Sequence, residues 1–322
     1  MKRILALMMI VFLFLTGCAV NNGTNEQKDN TKIKQEGVTN SKIDFVDDSG
    51  NKIVLNKPAK KIISLYSVHT ENLYSLGLDS EIMGVGTSDT YPKAVLTKTQ
   101  YSLKDDPELV IAAKPDVVLV RTTNLKSNPD YFKAIKDAGI IVVNLYCSEF
   151  DKFGDYLTRL GMLVGKDSEA KALITQFNTE IAQVQQNAKK IKNKKVAYFE
   201  STGNKIRTVT PNSFAGRALT IIGLENIAKD VKAKGSSTVV EYGEELLLSK
   251  ANLIEFYVAQ KGAMNKSVSL DEIKKRPGYS QIKAIKDNNI IIMDEKLISN
   301  ATMRYLLGLK ELQTKIYGEI IK

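Results

Sequence analysis

The sequence predicts an α/β protein made of two lobes with parallel sheets, joined by one long helix. Short apolar runs alternate with helical patterns along most of the chain, which is typical of parallel strands covered by helices on both faces. Three segments of the first half return in the second half in the same order: 76–78 as 222–224, 107–116 as 243–252 and 134–143 as 284–293. This repeat favours two lobes of like, Rossmann-like topology.

The chain begins with a basic pair, Lys2 and Arg3, followed by an unbroken apolar run over residues 4–15. At about 1.5 Å per residue this run would reach roughly 18 Å as a helix, too short for a hydrocarbon core about 30 Å thick. It therefore predicts a signal peptide rather than a membrane span. Residues 15–18, Leu-Thr-Gly-Cys, resemble a bacterial lipoprotein signal, which implies that Cys18 is acylated. An ordinary secretory signal that contains a cysteine is the alternative.

The composition then changes to Asn, Thr, Lys, Gln and Gly, too polar to form a packed core. We therefore expect a disordered tether before the folded body. The predicted organisation is a signal peptide (1–17), a tether (18–42), a first lobe (43–150), linking helices that include the strut (151–192) and a second lobe (193–322).

The folded body opens with two strand-like runs around a turn at residues 48–51, which is a hairpin signal. The strands expected in the first lobe are Lys61–Leu65, Ile82–Val85, Val117–Val120 and Ile140–Leu145. Those expected in the second lobe are Lys195–Phe199, Leu253–Val258 and Ile290–Met293.

A long helix is predicted over residues 167–191, between the lobes. Its apolar residues are spaced 3, 4, 3, 4 and 3 apart and form one face of a helix: Ile174, Phe177, Ile181, Val184, Ala188 and Ile191. Ser168 is the expected N-cap. A single rigid helix between two lobes predicts limited closure and a largely preformed cleft.

The net charge indicates which classes of molecule the protein binds, and the cysteine count indicates whether it contains a disulfide. The chain carries a formal net charge of +10, which falls to +8 without Lys2 and Arg3. For an exported protein this favours an anionic lipid, polymer or ligand rather than nucleic acid; a lysine-rich solvated surface is an equally good explanation. Cys147 is the only cysteine besides Cys18, so acylation of Cys18 excludes an internal disulfide.

Ligands of open parallel sheets bind beyond the carboxyl ends of the strands, and in a two-lobed protein these ends face the cleft. Tyrosine offers an apolar face with a polar tip, and arginine a planar fork for anionic oxygens. Arg121 and Arg207, one from each lobe, are expected to hold an anionic ligand between them. The candidate ligand-binding residues are Tyr66, Ser67, His69, Tyr91, Arg121, Tyr146, Arg207, Gln260 and Asn300.

Two of these residues could also contact a metal directly. His69 is the only histidine, and its ring could coordinate iron or cobalt or could instead bond to a backbone carbonyl near a helix start. For Tyr91 this role is implied by residues 86–92, which resemble a haem-binding branch of substrate-binding proteins in which this tyrosine is an axial ligand; the alternative is an aromatic residue of the cleft wall packed against Pro92. No resident cofactor is expected.

Enzymatic functions are poorly supported. The sequence lacks a phosphate-binding Gly-rich loop with Lys-Ser/Thr. A hydrolase would have to use His69 with Ser67 or another serine, without the usual nucleophile elbow. A surface hydrolase is therefore the weakest of the functions considered.

Several motifs together carry a family resemblance over roughly residues 43–320. They are the opening Asp47–Leu65, Thr70-Glu71 before Leu76-Gly77, Thr90-Tyr91-Pro92, Ala113–Val118, and Ile298-Ser299 with Arg304 and Gly308-Leu309. In this order they resemble the helical-backbone (class III, cluster A-II) substrate-binding proteins of ABC importers, which serve ferric siderophores, haem and cobalamin. Residues 66–69 and 300–303 depart from that pattern at the expected cleft.

The resemblance implies a lipoprotein on the outer face of the cytoplasmic membrane, anchored at Cys18. It implies a ferric siderophore, haem or cobalamin as ligand. The tyrosines, the arginine expected from each lobe and the net positive charge favour the ferric siderophore as first ligand, with haem or cobalamin as the alternative. Its partners would be an ABC permease dimer and the associated ATPase. Glu108 and Glu244, which lie at equivalent positions of the repeat, resemble the paired carboxylates with which this family docks on its permease.

Overall fold

The computed structural model describes residues 42–203, 205–233, 235 and 237–318. The predicted signal peptide, Cys18 and nearly all of the predicted tether lie outside these residues. None of the helices in the described ranges is both long and apolar enough to cross a membrane.

The first lobe contains an antiparallel hairpin and a five-stranded parallel sheet of order β5-β4-β3-β6-β7. Its strands are β1 Ile43–Val46, β2 Lys52–Leu55, β3 Ile62–Ser64, β4 Ile82–Gly86, β5 Thr99–Tyr101, β6 Val117–Val120 and β7 Ile141–Asn144. Its helices are α1 Ser67–Ser75, α2 Glu108–Ala113, α3 Thr122–Ser127 and α4 Pro129–Asp137. The predicted hairpin and all four predicted strands are present. Thr99–Tyr101, a half-polar edge strand, was not predicted.

Two helices join the lobes, α5 Phe153–Val164 and α6 Asp167–Ala188. The predicted strut is therefore confirmed as α6, and its buried face carries the expected residues Phe177, Ile181, Val184 and Ala188. The predicted N-cap is wrong, because the helix already begins at Asp167 and no side chain caps it. The Ser168 hydroxyl instead donates to the Glu169 carboxylate at 3.2 Å.

The second lobe contains a four-stranded parallel sheet of order β10-β8-β12-β13 and a small antiparallel pair, β9 with β11. Its strands are β8 Val196–Glu200, β9 Arg207–Val209, β10 Glu225–Asn226, β11 Val239–Glu241, β12 Phe256–Lys261 and β13 Ile290–Asp294. Its helices are α7 Phe214–Ile221, α8 Glu244–Ser249, α9 Leu270–Lys274, α10 Lys283–Lys286, α11 Glu295–Ile298 and α12 Tyr305–Tyr317. Two parallel sheets joined by one long helix confirm the predicted fold class.

Strand β12 lies three residues later than the apolar pattern predicted. The apolar run starts at Leu253, which is exposed, whereas the ladder extends through Gln260 and Lys261, paired with Met293 and Asp294 of β13. Backbone pairing does not require apolar side chains, so the strand continues into its polar end. This shift places Gln260 inside the sheet, at its carboxyl edge.

An aromatic cluster fixes the strut to the second lobe. Phe177 of α6 packs against Phe153 with 4.4 Å between ring centroids, and also against Tyr305 of α12. The Tyr305 ring meets Phe214 edge-on at 5.2 Å, and its hydroxyl donates to the Phe214 carbonyl at 2.8 Å. Such buried aromatic contacts stabilise beyond their buried area, so α6 and the second lobe form one packed body.

Candidate functional site

The carboxyl ends of both parallel sheets face a cavity of about 120 Å³ between the lobes. The first lobe lines it with residues that follow β3, β6 and β7: Tyr66, Arg121, Tyr146, Cys147 and Ser148. The second lobe contributes Ser201, Val209, Ser213, Phe214, Ala215, Thr238, Val239, Gln260, Met264, Glu295, Ser299 and Asn300. The structure thus brings together five of the predicted residues: Tyr66, Arg121, Tyr146, Gln260 and Asn300.

Arg121 and Tyr66 form the polar centre of the first-lobe wall. The guanidinium carbon of Arg121 lies 4.6 Å from the centre of the Tyr66 ring. Burial raises the pKa of Tyr66, an effect that the neighbouring guanidinium opposes, so the phenol stays neutral at physiological pH. Within the described residues Arg121 makes no ion pair, and its buried Nε lacks a hydrogen-bond partner. An uncompensated cation therefore borders the cavity.

The second-lobe wall is held in place by hydrogen bonds around Gln260. Its buried side-chain amide donates to the Ser201 carbonyl at 3.1 Å and accepts from the Ser299 hydroxyl at 2.5 Å. Both the nitrogen and the oxygen of the amide are therefore already hydrogen-bonded within the second lobe. The main role of Gln260 is to hold this wall of the cavity in place rather than to bind a ligand. Beside it, Phe214 and Met264 supply apolar surface, and Glu295 supplies a carboxylate.

His69 lies outside the cavity, in contrast to the prediction that it binds ligand or metal. Its side chain is 0% exposed. Nε2 lies 3.2 Å from the Val120 carbonyl, which can only accept, so this nitrogen carries the proton; Nδ1 then accepts from the Tyr156 hydroxyl at 2.8 Å. Burial lowers the pKa of His69 to about 4. Both ring nitrogens are occupied, which leaves no lone pair for a metal.

Tyr91 also lies away from the cavity between the lobes. Its ring, 44% exposed, lies 4.2 Å from the guanidinium carbon of Arg304. Both residues line a separate cavity of about 250 Å³, together with Glu71 and two residues of the strut, Gln176 and Glu180.

Two further predicted residues do not line the cavity. Ser67 is the buried first residue of α1. Arg207 begins β9 opposite Glu241, so the expected pair of arginines is reduced to Arg121 alone. Val209, two residues further along β9, lines the cavity, whereas Arg207 at the start of the strand does not.

The structure adds cavity residues that were not predicted. Ser213 caps α7, its hydroxyl accepting from the Gly216 amide at 3.0 Å, and this places Phe214 at the cavity. A serine before an apolar helix is an N-cap signal, so this helix start could have been found. Met264 and Glu295 carried no comparable signal. No group of three or more His, Cys, Asp or Glu residues in the described part of the chain is placed to hold a metal ion.

Two lobes with parallel sheets, joined by one helix and meeting at a polar cleft, define a two-lobed binding-protein fold. A family model for periplasmic binding proteins matches residues 62–297, and the chain belongs to this family.

The chain is similar to individual proteins over most of its length. It is 29% identical to an uncharacterized ABC transporter substrate-binding lipoprotein of Bacillus subtilis (strain 168), over 98% of this chain and 97% of that protein. It is 24% identical to a vitamin B12-binding protein of Vibrio campbellii, over 80% and 89%. The crystal structure of a possible iron-binding, periplasmic solute-binding protein from Staphylococcus epidermidis superposes with a TM-score of 0.71 at 28% identity, covering 81% of this chain and 100% of the other.

Proposed function

We propose that this protein is the substrate-binding lipoprotein of an ABC importer and that it binds an anionic metal chelate in the cavity between its lobes. Family membership supports a binding role, and the Bacillus relative is named as an ABC transporter lipoprotein. The vitamin B12-binding and possible iron-binding relatives point to metal-containing ligands. The hydrolase alternative loses support, because it depended on His69, whose two ring nitrogens are already bonded.

The observation that carries the anionic ligand is Arg121. An arginine stacked on a tyrosine presents its N–H edge while its flat face is occupied. With no carboxylate bonded to it, this guanidinium is available to carboxylate, catecholate or hydroxamate oxygens. Tyr66 and Tyr146, both lining the cavity, supply the flat faces on which a chelate can pack.

A ferric siderophore is the first candidate ligand. Its iron is already enclosed by the chelator, so the protein needs only to recognise anionic oxygens and apolar faces. Haem and a corrinoid are the second candidates; for haem, neither His69 nor Tyr91 lines the cavity to serve as an axial ligand. The corrinoid is favoured separately by the vitamin B12-binding relative.

The size of the cavity changes the expected mode of binding. Its volume of about 120 Å³ is below the ~300–1,000 Å³ of sites that enclose a ligand of drug size. The cleft is therefore not preformed for a large chelate, contrary to the expectation from the rigid strut. We infer that such a ligand enters with the lobes further apart.

Titration of the purified protein tests the ligand class. Ferric catecholates, ferric hydroxamates, haemin and cobalamin are added in turn and followed by calorimetry, because the chain has no tryptophan. Tight binding of one ferric chelate supports the first candidate. Tight haemin or cobalamin binding replaces it with the second, and no binding to any of the four contradicts the metal-chelate proposal.

Docking on the permease is proposed for Glu108 and Glu244. Each is exposed and is the first residue of a six-residue helix, α2 in the first lobe and α8 in the second. Each lies near an exposed leucine, Leu109 at 55% and Leu246 at 42% exposure. A carboxylate with an adjacent apolar side chain on each lobe suits two basic, partly apolar surfaces on a permease dimer.

We also propose that the protein is held at the outer face of the cytoplasmic membrane by acylation of Cys18. The motif at residues 15–18 and the lipoprotein name of the Bacillus relative support this. The polar residues that follow Cys18 would allow the folded body to reach its permease.

A further inference from the structure

A short segment of the second lobe contacts the first lobe at three points. Lys296 Nζ lies 2.8 Å from Thr90 Oγ1 and 3.2 Å from the Ser88 carbonyl. The carbonyl of Ala301 accepts from the Asn72 side-chain amide at 2.8 Å. All these partners belong to the first lobe, and the two contacting residues lie five positions apart.

The third contact is an ion pair with two parallel hydrogen bonds. Arg304 Nε lies 3.0 Å from Glu71 Oε2, and Arg304 Nη2 lies 3.2 Å from Glu71 Oε1. Glu71 is only 3% exposed. Arg304 also stacks on Tyr91, so both one edge and the flat face of its guanidinium contact the first lobe. We call residues 295–304, with these contacts, the inter-lobe clasp.

The opposite side of the same segment forms part of the cavity wall. Glu295, Ser299 and Asn300 line the cavity, and Ser299 donates to Gln260. Glu295 begins α11 and Ser299 directly follows its last residue, about one helical turn further on, while Lys296 contacts the first lobe. The clasp therefore has a ligand-facing side and a lobe-facing side within ten residues.

The ionised form of Glu71 depends on its contact with Arg304. Burial raises the pKa of Glu71, an effect that Arg304 opposes, so the carboxylate depends on the guanidinium for its charge. If the pair separates, Glu71 must be hydrated or protonated. The adjoining cavity of about 250 Å³, lined by Glu71 and Arg304, gives water access to both groups. Both groups can therefore be hydrated if the pair separates.

We infer that Lys296 and Arg304 are positioning residues that set the separation of the lobes and, through the same segment, the position of Ser299 and Asn300 in the ligand wall. A ligand too large for the closed cavity displaces that wall and, with it, the clasp. Release of the clasp then accompanies binding, so the clasp stabilises the closed, ligand-free state and its strength opposes binding. The ligand part of this inference rests on the proposed binding role of the cavity.

The first test needs no ligand. Hydrogen–deuterium exchange of the full chain compares wild type with Arg304→Gln, Glu71→Gln and Lys296→Gln, each also measured by small-angle X-ray scattering. Exchange should rise in residues 87–91 and 295–304, and the radius of gyration should increase. Lys310→Gln is the matched control, since it removes a cation of α12 that pairs with Glu180 of the strut and not with the first lobe.

The second test uses whichever of haemin, cobalamin or a ferric chelate binds the wild type. Arg304→Gln should lower the Kd of that ligand about tenfold, because the variant has no clasp to break on binding, and Arg304→Lys should restore part of the wild-type Kd. If Arg304→Gln fails to fold, Lys296→Gln carries both tests, because Lys296 is only partly buried and its replacement leaves no buried charge unpaired.

Unchanged exchange and radius in all three variants would overturn the clasp, whatever the ligand. Clasp variants that open in the first test but leave the Kd of the ligand at the wild-type value, or raise it, would overturn the coupling to the ligand wall. Failure of every probe to bind wild type would count against the proposed function alone, because the first test stands without a ligand.

Discussion

The Arg121 guanidinium carbon lies 4.6 Å from the centre of the Tyr66 ring, where the two neighbouring strands β3 and β6 end. The strands are paired with Ser64 opposite Leu119, and two further residues along this register place Tyr66 beside Arg121. The contact therefore follows from the sheet itself. Because the arginine's flat face is occupied by the ring, its N–H edge is oriented before any ligand arrives.

Arg121→Ala should weaken binding of an anionic chelate by about 1.5–3 kcal/mol, or roughly 10- to 150-fold in Kd, the usual contribution of a hydrogen bond to a charged group. Arg121→Lys should be intermediate, because an ammonium keeps the charge but loses the planar fork. Calorimetric titration with the ferric chelate bound by wild type measures both.

Arg217→Ala is the matched control for this experiment. Arg217 also stacks on an aromatic ring, that of Phe150, at 5.3 Å, but it does not line the cavity. Arg207→Ala should likewise have little effect on affinity, because Arg207 lies outside the cavity wall. An Arg207→Ala loss as large as that of Arg121→Ala would restore the two-arginine arrangement first expected from the sequence.

Cys18→Ala should abolish acylation and release the protein into the medium or leave it unprocessed. The reason is that the cysteine sulfur is the expected attachment site of the acyl chain, and an apolar run of twelve residues is too short to span a bilayer. Membrane fractionation with mass spectrometry of the mature N-terminus measures this. A Cys18→Ala protein that is still matured and acylated would contradict the lipoprotein assignment.

The fold was predictable where apolar periodicity determines it. All seven predicted strands exist, and Val117–Val120 has the predicted bounds, because a buried parallel strand must be apolar on both faces. The long helix α6 was predictable from one repeating stripe. Strands β9 and β11 could not be predicted. Each has only three residues, a mixture of polar and apolar ones, which is too short to show a hydrophobic periodicity.

Of the candidate site, only the residues that follow the carboxyl ends of predicted strands could be placed from the sequence. Tyr66, Arg121 and Tyr146 follow buried strands directly, so the rule of carboxyl ends placed them in the cavity. His69 lies only three residues beyond Tyr66, yet its helical position turns it toward Tyr156, 87 residues away in sequence. Such a contact depends on tertiary packing, which a single sequence does not contain.

Glu108→Lys and Glu244→Lys should each reduce uptake of the ligand by at least about tenfold while leaving its affinity for the isolated protein unchanged, since a reversed charge would repel a basic permease surface. Uptake in cells and calorimetry on purified protein separate the two effects. Glu245→Lys is the control, because it makes the same charge change one residue further along α8. If Glu245→Lys lowers uptake and Glu244→Lys does not, the docking carboxylate of the second lobe is Glu245. Unchanged uptake in the Glu108→Lys/Glu244→Lys double variant would remove the docking role from both.

Two buried groups of the first lobe should impose opposite pH dependences on stability. Burial lowers the pKa of His69 to about 4, from 6.5. Between about pH 6.5 and pH 4 the unfolded chain therefore binds a proton that the folded chain does not. The free energy of unfolding decreases as pH falls through this range. Burial raises the pKa of Asp89 to about 6, from 3.8, although Thr70 donates to its carboxylate at 2.5 Å. Here the folded chain holds the extra proton, so stability is lost as pH rises through about 6.

Each group contributes on the order of 3 kcal/mol across its window, and the two slopes oppose each other between about pH 4 and pH 6. His69→Gln should leave a free energy of unfolding that falls as pH rises through this range. Asp89→Asn should leave one that rises. Urea unfolding at half-unit steps of pH measures both slopes, and the comparison between the two variants cancels groups common to both, such as Glu71. Overall loss of stability in either variant shifts its curve without changing the sign of the slope. If both variants showed the wild-type slope, neither group would titrate as its burial requires. The neutral His69, with both ring nitrogens hydrogen-bonded, would then be wrong, and with it the reason for removing His69 from the candidate ligand-binding residues.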